Sequence, residues 1–241
     1  MLGLVLGMAG IPTLAAEPDT PVLQICTADP PFQPFTRADG HGLLQLQLAQ
    51  AARQLHLQVK EAMAPRKRCL DDARNGSIDA LFAAYAPERQ SFLAFPMNGQ
   101  APDPSMAMAE ARYVVYRRKG TTTGWDGHQF TGLQGQTVGV QRGFLLSPKF
   151  TTLDVKVDDG ALTATQLVDK LALGRNAAIV VQLQGTDPEL LTRYRDRIEA
   201  LPEPFDAYPI YLAVTPRFLN AHPEWVAKLW SELAAQKRKD R

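Results

Sequence analysis

The stretch that decides the fold runs from Cys69 to Pro96 and reads CLDDARNGSIDALFAAYAPERQSFLAFP. Its first residues have the spacing of a short helix, which we expect to begin after Pro65 and to end at Gly76, because glycine commonly terminates a helix. The next segment, Ser77–Ala84, is almost entirely apolar and is typical of a buried strand. A helix, a glycine and a buried strand in this order predict one crossover unit of a parallel sheet.

The same alternation of strands and helices extends in both directions from this unit. Upstream, the pattern predicts strands at Val22–Cys26 and Gln58–Met63 on either side of an amphipathic helix at 42–57. Downstream, it predicts strands at Ala111–Arg117, Thr137–Gln141, Ala177–Gln182 and Ile210–Thr215, and helices at Leu162–Leu173, from Asp187 and at Pro223–Lys237. Such alternation predicts an α/β protein whose mostly parallel sheets are flanked by helices.

Two proline-rich segments divide the chain. Asn98–Pro104 and Pro202–Pro209 have the composition of loops that cross between structural units. We therefore expect the chain to leave a first lobe, build a second one and return to the first. The predicted first lobe comprises residues 22–97 and 206–241, and the second comprises residues 98–205.

Composition and charge exclude several classes of function. The 241 residues include 26 basic and 25 acidic side chains, so no basic excess points to nucleic acid or to an anionic membrane. The four histidines are scattered and the two cysteines are too few for a zinc module, so we expect no metal and no cofactor. No serine-hydrolase elbow, phosphate loop or metalloprotease motif occurs, which favours a protein that is not an enzyme.

The first residues predict export. Residues 2–16 are apolar, carry no charge and end in small residues, which is typical of a signal peptide that spans residues 1–16 and is cleaved before Glu17. No basic residue precedes the apolar run, and the alternative is a buried N-terminal helix. Several glycines and Pro12 make that helix a poor one. We expect the mature protein in the periplasm.

The order of these elements resembles the bacterial periplasmic solute-binding proteins of the polar amino-acid type, known as family 3. The resemblance rests on the Cys69–Pro96 stretch, on LQGQTVGVQRG at Leu133–Gly143 and on LVDKLALGRNAAIVV at Leu167–Val181, and it covers residues 22–235. It implies two α/β lobes joined by two crossing segments, with a small-molecule ligand bound between them. The partner it implies is the membrane subunit of an ABC transporter or a sensor, and we expect a monomer.

The resemblance also implies binding residues in the first lobe. Arg89 corresponds to the arginine that grips the ligand carboxylate, although a surface ion pair with its neighbour Glu88 is the alternative. Phe32 and Phe35 lie in the loop where the family places an aromatic wall, and either could instead belong to the core. Two further candidates follow strands: Asp29, which could also cap a turn, and Tyr85.

Three departures from the family pattern bear on the ligand. Ala84 and Phe144 stand where hydroxyl residues are common, and Gln182 stands where an aspartate usually neutralises the ligand ammonium. A buried ammonium without a carboxylate is costly, so an ordinary α-amino acid is not expected. Together with Arg89 and Arg142, this set favours an anionic or partly apolar ligand.

Cys26 and Cys69 form a candidate disulfide. The two residues lie on elements that we expect to be neighbours in one lobe, and an exported protein usually oxidises an isolated cysteine pair. A subgroup of the resembled family has the same pair. The alternative is two buried free thiols.

Two other functions remain open at this stage, because a fold does not fix a function. One is an enzyme on the same fold, for which Asp29 is the single acid that the sequence offers to the cleft. The other is an interaction module that has lost its ligand.

Overall fold

The computed structural model describes residues 21–142 and 148–239. Within these ranges the strands are β1 (Val22–Asp29), β2 (Gln58–Pro65), β3 (Ala80–Ala84), β4 (Met97–Asn98), β5 (Ala101–Pro102), β6 (Ala109–Arg118), β7 (Gly124–Trp125), β8 (Phe130–Thr131), β9 (Val138–Gln141), β10 (Val157–Ala161), β11 (Ala178–Gln182) and β12 (Ile198–Val214). The helices are α1 (Leu43–Gln54), α2 (Arg66–Asn75), α3 (Pro148–Thr152), α4 (Ala164–Ala172), α5 (Pro188–Arg193), α6 (Pro216–Ala221) and α7 (Pro223–Lys239). Short 3₁₀ turns at Pro87–Arg89 and Pro104–Met106 follow β3 and β5.

Eight strands form one continuous sheet in the order β10-β9-β11-β6-β12-β3-β1-β2. At one end β2, β1 and β3 run parallel, and at the other end β10, β9 and β11 run parallel. The antiparallel strands β6 and β12 join the two halves. The predicted α/β class, with its parallel strands and crossover helices, is confirmed.

The structure differs from the sequence prediction in β12. Pro202–Pro209, predicted as a loop, belongs to a 17-residue strand that runs over Ile198–Val214. The register of this strand with β6 shifts between Ala200 and Asp206, on either side of Pro204. A residue that lacks an amide N–H is tolerated at such irregularities, because the regular ladder of hydrogen bonds is already interrupted there.

The two faces of β1 are covered by different helices. Leu23 and Ile25 belong to the apolar cluster that includes α1, whereas Cys26 belongs to the cluster that includes α2. Successive residues of a strand point to opposite faces, so α1 and α2 cover opposite faces of the sheet. The Cys26–Cys69 disulfide ties β1 to α2, which confirms the predicted pairing and excludes the two free thiols.

The ends of α2 and the packing of α4 follow the sequence pattern. α2 ends at Gly76 in the left-handed conformation, with φ of 75°, as the sequence predicts. In the other half, Leu167 and Leu171 of α4 pack with Ile179 and Val181 of β11 in a cluster of their own. In the part of the chain that the structure covers, no helix has the length and apolar character needed to cross a membrane.

Candidate binding cleft

The carboxyl end of β1 is the point at which the strand order of the sheet reverses. β1 pairs with β2 from Val22 to Asp29, but it pairs with β3 only at Ile25 and Cys26. β2 and β3 lie on opposite sides of β1, and their connecting helices cover opposite faces. Open α/β sheets bind ligands at such a switch point, outside the carboxyl ends of the strands. The space between the diverging ends of β1 and β3 is therefore the candidate binding crevice.

Two main-chain carbonyls of β3 face this crevice. Thr215 N donates to Asp79 O at 2.7 Å, so the Asp79 carbonyl points toward β12. Because carbonyls alternate between the two edges of a strand, those of Phe82 and Ala84 point toward β1. β1 no longer pairs with β3 at these two positions, so both carbonyls require other donors.

Arg89 supplies the donor for one of these carbonyls. It ends the 3₁₀ turn after β3, and its Nη1 donates to Ala84 O at 2.9 Å. Removal from water lowers the pKa of Arg89, and the charge of Glu88 opposes this shift. No carboxylate of the described residues forms an ion pair with the guanidinium. Arg89 therefore keeps a half-buried positive charge at the crevice.

Arg66 supplies the donor for the other carbonyl, a role that the sequence analysis missed. It is the first residue of α2, and its Nη1 donates to Phe82 O at 3.1 Å. The side chain thus extends from the end of β2 across β1 to the edge of β3. Burial lowers the pKa of Arg66 to about 10, and the nearby charge of Arg89 contributes to this shift. Like Arg89, Arg66 forms no ion pair with a carboxylate of residues 21–142 or 148–239.

A sequence signal for Arg66 does exist. The run Arg66-Lys67-Arg68 places three cations in the first turn of α2, where no acidic residue is present. Helices prefer acids in this turn because their N-terminal N–H groups carry partial positive charge. Lys67 and Arg68 form ion pairs with Asp71 and Asp72 on the same helix, whereas Arg66 bonds to the sheet.

Gln182 lies at the end of β11, as Ala84 lies at the end of β3. Its side chain is 3% exposed, and neither Oε1 nor Nε2 has a hydrogen-bond partner among the described residues. A Cβ atom at Gly185 would lie 2.8 Å from Gln33 O and 2.9 Å from Gln182 Oε1. The loop after β11 therefore contacts the loop after β1. The Gln182 amide, which has no described hydrogen-bond partner, lies at this contact.

The sheet register gives the spacing between the two strand ends. Ala84 at the end of β3 pairs with Ile210, which also pairs with Ala109 at the start of β6. Gln182 pairs with Tyr113, further along β6. From position 109 to position 113 the strand advances about 13 Å, at about 3.3 Å per residue, and the three strand-to-strand steps from β3 to β11 add about 14 Å across the sheet.

The aromatic candidates separate into different roles. Phe35 is 1% exposed and lies in the main core, so it cannot form an open wall of the cleft, which corrects that prediction. Phe32 is half-buried, with its ring 5.2 Å from that of Phe35. Tyr85 packs edge-on against Phe95 at 5.4 Å. Phe32 and Tyr85 therefore keep partly exposed surface.

The remaining candidates lie at the surface or outside the described ranges. Asp29 is exposed at the end of β1. Arg142 is exposed and its Nε donates to Asp159 O at 3.4 Å, on β10. Phe144 lies outside the described residues. Within those residues, no group of three His, Cys, Asp or Glu side chains is placed to hold a metal ion.

Comparisons with known proteins identify the fold. The sequence matches no protein-family profile and no curated protein. The structure is similar to the B. pertussis BvgS periplasmic domain, with a TM-score of 0.53 and 17% identity over 89% of this chain and 40% of that chain. It is similar to an ancestral arginine-binding protein bound to glutamine, with a TM-score of 0.55 and 21% identity over 90% of this chain and 92% of that one.

A third similar structure is the GluR0 ligand-binding core from Nostoc punctiforme in complex with L-glutamate. The TM-score is 0.59 and the identity is 13%, over 90% of this chain and 94% of that one. The fold is therefore that of the two-lobed periplasmic binding proteins, as predicted. The arginine-binding and glutamate-bound neighbours are binding proteins and not enzymes. The chain spans 40% of the length of the BvgS domain.

Proposed function

We propose that this chain is a periplasmic solute-binding protein that holds a small ligand by an anionic group. The ligand lies in a cleft between two lobes, formed by residues 22–97 with 206–241 and by residues 98–205. The observation that carries the proposal is the Arg89 guanidinium, which is half-buried at the switch point of the sheet and is not neutralised by any described carboxylate. A guanidinium binds a carboxylate through two parallel hydrogen bonds, and such a ligand would balance its charge.

The polar groups of the cleft favour a ligand without an α-ammonium. Gln182 offers an amide where an acid would neutralise an ammonium, and its two polar atoms have no described partner. Asp29 is the acid at the crevice end of β1, and it is exposed. The neighbours bound to glutamine and glutamate bind zwitterions, so this chain would differ from them in the ligand while sharing the fold.

The biological role that fits this site is delivery or detection of the ligand. The protein would be exported, would act as a monomer, and would present its ligand either to the membrane subunit of an ABC transporter or to a sensor. The support for this role is the resemblance of the sequence together with the two-lobed fold.

Titration calorimetry with amino acids, organic acids and small peptides tests the proposal, with Arg89→Ala and Arg89→Lys as variants. We expect ligands with an anionic group to bind, and Arg89→Ala to cost about 2–4 kcal/mol of binding free energy, because a buried anion loses its partner. Arg89→Lys should also weaken binding, since a point charge does not replace a bidentate fork.

Arg68→Ala is the matched control. Arg68 has a 73% exposed side chain and pairs with Asp72 on α2, so its removal should leave binding unchanged within about 0.5 kcal/mol. Tight binding of an ordinary amino acid that survives Arg89→Ala would contradict both the ligand class and the site.

A further inference from the structure

Arg66 and Arg89 reach the same edge of β3 from opposite sides. Arg66 comes from the end of β2 and donates to Phe82 O, whereas Arg89 follows β3 and turns back to donate to Ala84 O. Residues two apart on a strand place their carbonyls on one edge, about 7 Å apart. Two guanidiniums are therefore anchored side by side, each by a single carbonyl, at the switch point of the sheet.

These two anchors leave most of the donors of each side chain unused. A guanidinium has five N–H donors, and the described residues take one from Arg66 and one from Arg89 through side-chain hydrogen bonds. A carbonyl carries no net charge, so neither positive charge is neutralised. Two like charges that are close together and partly removed from water destabilise each other, which is the reverse of a structural ion pair.

The first turn of α2 adds partial positive charge near the guanidiniums of Arg66 and Arg89. α2 has ten residues, and its N-cap, Pro65, provides no side-chain acceptor for the first N–H groups. Because α2 follows the carboxyl end of β2, these N–H groups lie at the crevice end of the sheet, where they favour an anion.

We propose that the cleft takes a small dianion, a dicarboxylate or a phosphate monoester, with Arg66 as the second anion-binding residue beside Arg89. This inference rests on the proposed function and narrows its ligand class. In a dicarboxylate, one carboxylate would face Arg89 and the other would face Arg66. In a phosphate monoester, two phosphate oxygens would face Arg89 and the second negative charge would face Arg66. A monoanion would leave one of the two guanidiniums unbalanced.

Calorimetry with matched probes at constant ionic strength, at about pH 8, tests this inference on the unaltered protein. Succinate and glutarate serve as dicarboxylates, butyrate and valerate are their monoanionic counterparts, and inorganic phosphate is the separate phosphate probe. We expect each dicarboxylate to bind at least about tenfold more tightly than its monoanionic counterpart, because one additional charged hydrogen-bond set is made. If phosphate binds and the dicarboxylates do not, the result would support a dianionic ligand and identify its class as phosphate esters.

Arg66→Gln isolates the second charge. Glutamine removes the charge and keeps an unbranched polar side chain at this position. We expect Arg66→Gln to weaken binding of the dianion far more than binding of the monoanion, so that the preference for the dianion is lost. Arg68→Gln, on the exposed side of α2, should leave both affinities unchanged within about twofold.

The outcomes separate this inference from the proposed function. A monoanion that binds through Arg89 as tightly as its dicarboxylate counterpart would contradict the proposal of a dianionic ligand, but it would leave the proposed function intact. An Arg66→Gln variant that weakens monoanion and dianion equally would also overturn it. The absence of binding by any anion to the unaltered protein would reject both, and this comparison requires no variant to fold.

Discussion

Two residues at the candidate cleft retain polar character that burial disfavours. Gln182 is almost completely buried, yet its amide has no described hydrogen-bond partner, and Arg66 keeps a charge that burial disfavours. The pKa of Arg66 in the folded chain, about 10, is below its ordinary value of 12.5. The energetic penalty of this charge is therefore fully present below pH 10 and is relieved only as the pH rises above 10. Stability at neutral pH is lower because these groups are kept, which is typical of binding sites.

Gln182→Met tests this trade-off. An unsatisfied buried amide costs about 1–3 kcal/mol, so an apolar side chain of similar volume should raise the free energy of unfolding by about 1 kcal/mol. The same change should weaken ligand binding by about tenfold or more if the amide contacts the ligand. Urea unfolding and calorimetry give the two quantities.

Gln136→Met is the control for this variant, because Gln136 is exposed on a loop. Its effect on unfolding should stay within about 0.5 kcal/mol. A Gln182→Met protein that is less stable, yet binds its ligand normally, would show that the amide has a structural role.

The sequence reveals the residues of this site unevenly. Arg89 can be identified because it follows a predicted strand within a recognisable segment. Arg66 could be inferred only from the unfavourable position of a cation in the first turn of a helix. Phe35 could not be assigned in advance, because a loop aromatic next to a strand can turn toward the core or the cleft, and only the packed structure distinguishes the two.

At the scale of the elements, two of the cross-links between them differ in chemistry, a disulfide and an ion pair. The disulfide joins β1 to α2, and both sulfur-bearing residues are buried. It closes a long loop, with a sequence separation of 43 residues. The chain-entropy model assigns about 3–4 kcal/mol to a loop of this length.

The double variant Cys26→Ser with Cys69→Ser should therefore lose about 3–4 kcal/mol of unfolding free energy. Because Arg66 lies three residues before Cys69 on α2, we also expect weaker anion binding in the double variant. Chemical unfolding with and without reductant measures the stability, and reductant should affect only the unaltered protein. Equal stability of the reduced and oxidised proteins would contradict this prediction.

The second cross-link joins β10 to α4 through a carboxylate. Asp158 accepts from Lys170 Nζ at 2.8 Å and from Asn176 Nδ2 at 2.9 Å. These hydrogen bonds lower the pKa of Asp158 to about 2 from an ordinary value of 3.8, and the hydrogen bond from Lys170 has the largest effect. The stabilisation is present above pH 3.8 and is lost as the pH falls through 2, because the unfolded chain takes up the proton first.

We expect Asp158→Asn to cost about 2 kcal/mol at neutral pH, because the folded chain holds the pKa of Asp158 at about 2, below its ordinary value of 3.8. The difference from the unaltered protein should shrink as the pH falls from about 4 to about 2. Asp159→Asn, at the exposed neighbouring position, should remain within about 0.5 kcal/mol at every pH. A difference that is independent of pH would exclude the charge as its cause.

At the scale of the whole molecule, local patterns predicted most of the elements but not the way in which they join. Periodicity and glycine placement located α2, β3 and α4 because these elements bury one regular face. The same rules treated Pro202–Pro209 as a loop, since proline removes a hydrogen-bond donor. β12 is nevertheless a strand, because its neighbours pair with it on either side of the irregular positions, and that pairing is not visible in a local window.

Export is a prediction for the whole molecule, and it falls on residues outside the described ranges. The apolar run that ends at Ala16 predicts cleavage before Glu17. Mass spectrometry of periplasmic protein from a Gram-negative host should find a mature chain that begins near Glu17. Retention of Met1 in protein confined to the cytoplasm would contradict the prediction.

The continuation of β12 past its irregular positions has a consequence for the kinetics of binding. β6 and β12 are hydrogen-bonded to each other, and in the described sheet they lie between the two parallel halves. A rotation of one half against the other must twist this two-stranded ribbon, so its elastic energy rises steadily with the angle. We therefore expect ligand capture to depend on diffusion into an accessible cleft more than on waiting for a rare open form.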